Sequence, residues 1–174
     1  MAIPSRNADP QNVTADQRTF FIESNTVGRR RLLQSERSAR LLIDVLFHYR
    51  NQGEYRLHAF VVMPNHFHAL ITVSGLSTVE KAMQKIKGGF SFRAQRELPR
   101  RTAIWQRGFS DKRVRSREEF LAYRTYIHLN PVRARLVPSP EEFPYSSAHP
   151  SFRATRAQSP AAETEQEESI LRHD

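Results

Sequence analysis

Two apolar stretches separated by only two residues place the strongest constraint on the fold of this chain. Residues 55–63 and 66–73, YRLHAFVVM and HFHALITV, are rich in β-branched and aromatic side chains. The pair Pro64-Asn65 between them is typical of a tight turn. The spacing therefore predicts a β-hairpin whose strands are joined at this pair.

The segments before the hairpin predict a strand followed by a helix. Residues 18–27, RTFFIESNTV, have the aromatic and β-branched composition of a strand. Residues 35–51 carry apolar side chains at helical spacing. These side chains are Leu41, Leu42, Val45 and Leu46.

A second helix and a short strand are predicted after the hairpin. The helix covers residues 78–98, and residues 77–80 (STVE) at its start have the spacing of a capping box. The pair Gly88-Gly89 interrupts the helical pattern. Residues 103–110, AIWQRGFS, predict a last short strand.

The third helix has signals at both ends. Residues 116–119 (SREE) again have capping-box spacing, and the helix is expected to end near Asn130 because Pro131 has no backbone N–H to donate. The element order suits an α+β sandwich of ferredoxin-like type, with an antiparallel sheet and the helices packed on one face.

The chain is long enough for one compact domain with a tail at each end. It has 174 residues, of which 39% are hydrophobic. Residues 1–17 and 151–174 are poor in core side chains, so we expect a disordered leader and a disordered tail around a domain at 18–150. The sequence shows no apolar signal core and no apolar run that could span a bilayer, which predicts a soluble, cytoplasmic protein.

His66 and His68 lie two residues apart on the second strand of the predicted hairpin. Side chains at positions i and i+2 of a strand share one face, so both imidazoles can reach one point while Phe67 points to the opposite side. The chain has no cysteine, so a metal would be held by His, carboxylate or amide groups. An isolated His-x-His pair also arises by accident on half-buried sheets, so the pair alone leaves a structural role open.

Tyr126 and Asn130 lie four residues apart at the end of the third helix, and Tyr123 lies one turn earlier on much the same side. The amide oxygen of Asn130 can complete the ligands of a metal. Tyrosines at helical spacing often pack into a core, and an asparagine before proline often ends a helix, so a structural role stays open here too. Pro131 also leaves the direction of the Asn130 side chain open.

Positive charge is concentrated in the second half of the chain. The whole chain has a formal net charge of +9, whereas residues 81–135 contain 15 Lys and Arg against four Asp and Glu, a net charge of +11. Phosphate binding needs such clustering, and the aromatic residues within the stretch can stack on bases. The clustered charge therefore favours a surface that binds nucleic acid over a helix face that is only solvated. The candidate DNA-binding residues are Lys85, Lys87, Arg93, Arg107, Arg113 and Arg133.

Three stretches taken in order resemble a known family, the single-tyrosine HUH transposases, and most of all the bacterial REP-associated tyrosine transposases. They are HAFVVMPNHFHALITV at 58–73, IWQRGFSDKRVRSREEF at 104–120 and YIHLNPVRARLV at 126–137, followed by EEFPYSSA at 141–148. The resemblance spans about residues 18–150, although the amino-terminal strand segment matches the family pattern only loosely. Its clearest departure is Arg135, where the family pattern has a glycine.

The resemblance implies a DNA strand-cutting enzyme with the fold predicted above. His66 and His68 match the family's two-histidine metal motif, Tyr126 on the C-terminal helix matches its nucleophile, and Asn130 matches the polar residue that helps to bind the metal. Mg²⁺ or Mn²⁺ is the implied cofactor, and single-stranded DNA beside a hairpin is the implied partner. In this family the tyrosine keeps the 5′ phosphate and releases a 3′ hydroxyl, which permits later rejoining. A monomer is expected, with a dimer as the alternative.

Two other functions fit parts of the sequence. A ferredoxin-like sheet with a basic and aromatic surface can bind single-stranded nucleic acid without cutting it, and such a module would need no divalent metal. A metal-dependent nuclease that uses water would keep the two histidines and leave Tyr126 as an orienting group. A covalent protein–DNA intermediate distinguishes the transposase from both.

Overall fold

A computed structural model of the chain describes residues 17–99 and 102–152, in which four antiparallel strands form one sheet with the spatial order β2-β3-β1-β4. The strands are β1 (Arg18–Asn25), β2 (Arg56–Met63), β3 (His66–Val73) and β4 (Ser110–Val114). The helices are α1 (Glu36–Asn51), α2 (Val79–Glu97) and α3 (Arg117–Arg133). The predicted element order and the α+β fold class are confirmed.

Local signals place most of the element boundaries. The hairpin of β2 and β3 turns at Pro64-Asn65, as predicted. Ser116 caps α3 by accepting a hydrogen bond from the backbone N–H of Glu119 at 3.1 Å. The cap of α2 is Thr78, which accepts from the N–H of Lys81, so α2 begins one residue later than predicted.

Both faces of the sheet are apolar, and both are covered. The side chains of Phe20, Ile22 and Phe67 point toward α1 and α2, in agreement with the predicted direction of Phe67. Alternate residues such as Phe21 and Leu70 point to the other face, where they pack against α3. The predicted packing of helices on one face therefore holds for α1 and α2, whereas α3 lies on the opposite face because the central strands are apolar on both sides.

The last strand lies later in the chain than predicted. Residues 103–110 were expected to form it, but β4 begins at Ser110 and the earlier segment makes only an isolated bridge between Thr26 and Trp105. The Trp105 ring packs between Phe67 and Phe90, with centroid distances of 5.6 and 5.4 Å. The apolar pattern that indicated a strand therefore reflects partly buried loop side chains, Ile104, Trp105 and Phe109, which pack against the core.

Two expected interruptions leave their helices intact. Helix α2 runs through Gly88-Gly89 without a break. Helix α3 continues through Pro131 to Arg133, so the prediction that it ends near Asn130 was wrong by three residues. Proline is tolerated there because it lies in the last turn, where its missing N–H costs one helical hydrogen bond.

The segment after α3 covers the outer edge of β2. The N–H of Val62 donates to the carbonyl of Tyr145, and the N–H of Ser147 donates to the carbonyl of Phe60, each at 2.9 Å. Such covering protects an edge strand from pairing with other chains.

The ring of Phe152, the last described residue, packs 5.1 Å from the ring of Phe60. The fold thus continues two residues beyond the predicted domain end at 150. The remainder of the predicted leader and tail, residues 1–16 and 153–174, lies outside the described residues. In the part of the chain that the structure describes, no helix has the length and apolar character needed to cross a membrane.

Candidate active site

Residues from the two predicted motifs meet on the face of the sheet covered by α3. The ring centroids of His66 and His68 on β3 are 4.9 Å apart, and the His68 ring is 5.5 Å from the ring of Tyr126 on α3. The Asn130 side chain lies near enough to His66 to favour its protonated form. Four residues that were selected from separate parts of the sequence are therefore neighbours in the fold.

The orientation of His66 is set by the residue before it. Its Nδ1 atom lies 2.7 Å from Oδ1 of Asn65. An amide oxygen can only accept, so Nδ1 carries the proton and Nε2 has the lone pair. Burial lowers the pKa of His66, although the negative charge of Glu23 partly opposes this shift. The ring is thus neutral at pH 7 and can act as a ligand.

His68 is buried more deeply, with 1% of its surface exposed. Its ring stacks on Phe21 at a centroid distance of 5.2 Å. Burial, helped by the neighbouring His66, lowers the pKa of His68 to about 3. The imidazole is therefore neutral across the physiological range, which is the protonation state that metal coordination requires.

Tyr123 and Tyr126 differ in what they contact and in how accessible they are. The Tyr123 ring stacks on Phe21 at 4.6 Å and packs against the core on this face of the sheet. Tyr126 meets His68 edge to face, and 37% of its surface is exposed. Only the second tyrosine combines contact with a candidate metal ligand and an exposed surface that a large substrate can reach.

The donor atoms fit a small divalent cation held partly by an amide. Within residues 17–99 and 102–152, no group of three His, Cys, Asp or Glu side chains is arranged to hold a metal. The candidate donors that lie together on this face are the two imidazoles and the Asn130 side chain beside His66. Asn130 remains in helical conformation despite Pro131, because its carbonyl still accepts from the N–H of Ala134 at 3.0 Å.

Three of the six candidate DNA-binding residues lie on α2, across the sheet from Tyr126. Lys85 is paired with Glu54. The Arg93 guanidinium donates to Glu97 at 2.7 Å. The third, Lys87, donates to backbone carbonyls at 3.0 and 2.6 Å, and burial lowers its pKa. The structure does not bring these three side chains to the catalytic candidates, and each of them has an intramolecular partner.

The other three candidates occupy different places. Arg113 on β4 lies with its guanidinium 5.5 Å from the ring centroid of Phe20, on the α1 and α2 face. Arg107 is exposed in the loop before β4. Arg133 lies with its guanidinium 5.3 Å from the Tyr126 ring centroid. Of the six, Arg133 is the one in direct contact with a catalytic candidate.

The register of the sheet adds residues that the sequence analysis did not select. Glu23 lies opposite His68 and Asn25 lies opposite His66 in the pairing of β1 with β3. Arg29 approaches Glu23 at 3.8 Å and donates to Oδ1 of Asn25 at 3.2 Å. On the other side of β1, Lys112 lies opposite Phe21. One sequence signal was available: Glu23 is the acidic residue of β1 and directly follows the apolar residues Phe20, Phe21 and Ile22.

Arg135 occupies a backbone conformation that explains the glycine expected there. Its φ angle is +58°, in the left-handed region. A second arginine, Arg29, has a φ angle of +51°. Among the described residues, these are the two non-glycine residues with positive φ. A glycine would adopt this geometry without the steric cost that a Cβ atom brings.

Similar proteins are found both by sequence and by fold. A REP-associated tyrosine transposase of Escherichia coli strain K12 is 24% identical over 132 residues, which cover 75% of this chain and 76% of that one. A relative from Haemophilus influenzae is 29% identical over 107 residues, which cover 55% of this chain and 60% of the relative. A solved structure of a REP-associated tyrosine transposase bound to a REP hairpin superimposes with a TM-score of 0.66 at 23% identity, covering 81% of this chain and 80% of that one.

The family model described as "Transposase IS200 like" matches residues 24–130 of the chain. This segment begins in β1 and ends at Asn130, so it includes both histidines and Tyr126. It also covers more than half of the sequence. The chain belongs to the IS200-like transposase family.

Proposed function

We propose that this transposase cuts single-stranded DNA by direct attack of the Tyr126 hydroxyl on a backbone phosphorus. The observation that carries the proposal is the position of Tyr126, in contact with His68 and exposed to solvent. Tyr123 has the same chemistry but is partly buried and stacks on Phe21, which makes it a poor alternative nucleophile.

The reaction balances as a transfer of the phosphoryl group. The Tyr126 oxygen forms a bond to phosphorus and loses its proton, while the bond from phosphorus to the 3′ oxygen breaks. The 3′ oxygen takes up a proton and leaves as a hydroxyl, and the 5′ phosphate stays on the tyrosine. The phosphotyrosine conserves the energy of the broken bond, so a 3′ hydroxyl of another strand can reverse the step and rejoin the DNA.

His66, His68 and Asn130 are the residues that would hold a divalent cation. When bound, Mg²⁺ or Mn²⁺ polarises a phosphate oxygen and orients the scissile bond. The protein contributes neutral imidazoles, because burial lowers both histidine pKa values. Arg133 lies with its guanidinium over the Tyr126 ring, so it adds positive charge beside the nucleophile, which favours the negative charge that develops on the phosphate oxygens in the transition state.

We infer that the substrate is single-stranded DNA beside a hairpin. The support is the related transposase solved with a REP hairpin, together with the basic groups on the site face. Those groups are Arg29, Lys112 and Arg133. Arg29 and Lys112 are better candidates for phosphate contacts than the α2 residues because they lie on the face of the sheet that carries the two histidines. A monomeric state and a cytoplasmic location remain predictions from the sequence.

The experiment is a search for the covalent intermediate. The purified chain is incubated with end-labelled single-stranded hairpin DNA from the flanks of its own gene, with Mg²⁺, Mn²⁺ or a chelator, and run on a denaturing protein gel. We expect a labelled protein band that requires metal, disappears in Tyr126→Phe and persists in Tyr123→Phe. Hairpin binding by Tyr126→Phe should stay close to that of the unmodified protein.

Other outcomes would identify the alternatives. Cleaved DNA without a protein adduct under any metal would indicate a nuclease that uses water. DNA binding with neither adduct nor cleavage would indicate a binding module. An adduct that survives in Tyr126→Phe and disappears in Tyr123→Phe would move the nucleophile to the other tyrosine.

A further inference from the structure

The carboxylate of Glu23 lies between an imidazole and a guanidinium at the candidate active site. Its Oε2 atom is 3.9 Å from Nδ1 of His68, and its Oε1 atom is 3.8 Å from a terminal nitrogen of Arg29. Glu23 is paired with His68 in the register of β1 and β3. The sheet backbone therefore holds this carboxylate beside the ring.

Nδ1 of His68 is a buried polar atom without a hydrogen bond to any described residue. The backbone of Ile22 lies near enough to favour the protonated ring, but it does not reach hydrogen-bond geometry with Nδ1. An unsatisfied buried donor is unfavourable, so Nδ1 needs an acceptor whenever it carries the proton of the neutral ring.

The neighbouring histidine already has such an acceptor. Nδ1 of His66 donates to Asn65, which leaves Nε2 available to a metal. Histidines that bind metals nearly always donate their second ring nitrogen to a carboxylate, a backbone carbonyl or water, and this contact fixes the tautomer and the direction of the ring. In the described structure, Glu23 is the carboxylate placed to do the same for His68.

We propose that Glu23 is a positioning residue for His68: it accepts a hydrogen bond from Nδ1–H and so keeps the Nε2 lone pair available to the divalent cation. The role rests on the metal site of the proposed function. The Glu23 side chain is 28% exposed and has room to rotate, whereas that of His68 is 2% exposed and packed against Phe21. Rotation of Glu23 is therefore the movement that shortens the 3.9 Å separation from Nδ1 to a hydrogen bond.

Glu23 also pairs with Arg29, so a structural role must be separated from the proposed one. If Glu23 mattered only by holding Arg29, then removing the guanidinium would have the same effect as removing the carboxylate. Arg29→Met keeps much of the side-chain length without the charge, and therefore serves as the matched control for Glu23→Gln and Glu23→Ala.

The test measures binding of MnCl2 to the metal-free full chain by titration calorimetry. We expect a Kd about 10-fold weaker in Glu23→Gln and up to about 100-fold weaker in Glu23→Ala, in the range found for other residues that orient metal-binding histidines. Arg29→Met should bind Mn²⁺ at least as well as the unmodified chain. The unfolding temperature of each variant is recorded, so that affinity is compared only between folded proteins.

A second measurement reads the tautomer directly. Long-range ¹H–¹⁵N spectra of the Mg²⁺-loaded protein should show His68 with its proton on Nδ1, and this state should give way to a mixture in Glu23→Ala. An unchanged tautomer and unchanged Mn²⁺ affinity would overturn the role and assign the orientation of His68 to the Ile22 backbone. Equal weakening by Arg29→Met would also overturn it.

The failure of this inference can be distinguished from failure of the proposed function. If the unmodified chain binds Mn²⁺ and forms the Tyr126 adduct while Glu23→Ala does both equally well, only the positioning role is lost. If the unmodified chain binds no Mn²⁺, the metal site and the role of Glu23 are both overturned.

Discussion

Tyr126 of α3 and His68 of β3 meet edge to face, with ring centroids 5.5 Å apart and planes inclined by 82°. The contact lies on the face of the sheet opposite α1 and α2. Because α3 is the helix that packs on this face, it brings the candidate nucleophile next to the two histidines. Arg133 lies on the same helix with its guanidinium over the Tyr126 ring. The helix therefore presents the candidate nucleophile and a positive charge together.

Arg133 and Arg93 are both candidate DNA-binding residues by sequence, but this arrangement predicts that Arg133 contributes more to DNA binding than Arg93. Arg133→Ala should weaken binding to single-stranded hairpin DNA and reduce the slope of log affinity against log salt by about one phosphate contact. Arg93→Ala should change both quantities little, because Arg93 is already paired with Glu97 and Asp44. Fluorescence anisotropy at several salt concentrations measures both. Equal losses in the two variants would contradict the assignment of the DNA surface to the α3 face.

Two adjacent glycines of α2 should respond oppositely to alanine. A Cβ atom on Gly89 would lie 2.8 Å from the Tyr49 ring of α1, whereas one on Gly88 would meet no atom within 4 Å. Gly88→Ala should therefore raise the free energy of unfolding by about 0.5–1 kcal/mol through helix propensity. Gly89→Ala should lower it by about 1–3 kcal/mol through overpacking. Urea denaturation measures both, and similar shifts in the two variants would argue against close packing of α1 on α2.

Arg135→Gly should stabilise the fold. The left-handed backbone at Arg135 costs a residue with a Cβ atom about 1–2 kcal/mol. Glycine removes this cost but makes the unfolded chain more flexible, which returns about 0.4–1 kcal/mol. The expected net gain, measured by urea denaturation, lies between zero and about 1.6 kcal/mol. Arg135→Ala is the control and should show no such gain, since alanine keeps the Cβ atom; a similar gain in both variants would point to relief of charge repulsion instead.

The stability of the metal-free protein should depend on His68 at acid pH. Its pKa is about 3 in the folded chain, against an ordinary value of 6.5. Below pH 6.5 the unfolded chain takes up a proton that the folded chain does not, so the free energy of unfolding falls as the pH drops from about 6.5 toward 3. Above about pH 6.5 the contribution of His68 to the free energy of unfolding is fully present. One such group changes the free energy by at most about 1.4 kcal/mol per pH unit.

The measurement is urea denaturation in the presence of a chelator at pH 7 and pH 5. His68→Asn should lose less stability between the two conditions than the unmodified chain does. His48→Asn, which alters an exposed histidine of α1, should behave like the unmodified chain. If His68→Asn kept the full dependence on pH, other groups would be responsible for it.

Several features followed from the sequence because they depend on residues that are close together in the chain. The hairpin turn at Pro64-Asn65 and the cap at Ser116 need only a few consecutive residues. The shared face of His66 and His68, with Phe67 on the other, follows from the two-residue period of a strand. The family resemblance added the pairing of these histidines with Tyr126, which local spacing alone does not imply.

Other features were decided only by contacts between distant parts of the chain. Glu23 lies beside His68 because β1 pairs with β3 in one particular register. Helix α3 covers the second face of the sheet because that face is apolar and would otherwise be exposed to solvent. The basic side chains of α2 could be counted in the sequence, but their intramolecular partners could not. Register and helix placement minimise exposed apolar surface over the whole fold, so the sequence determined which groups are present and the tertiary structure decided which of them meet.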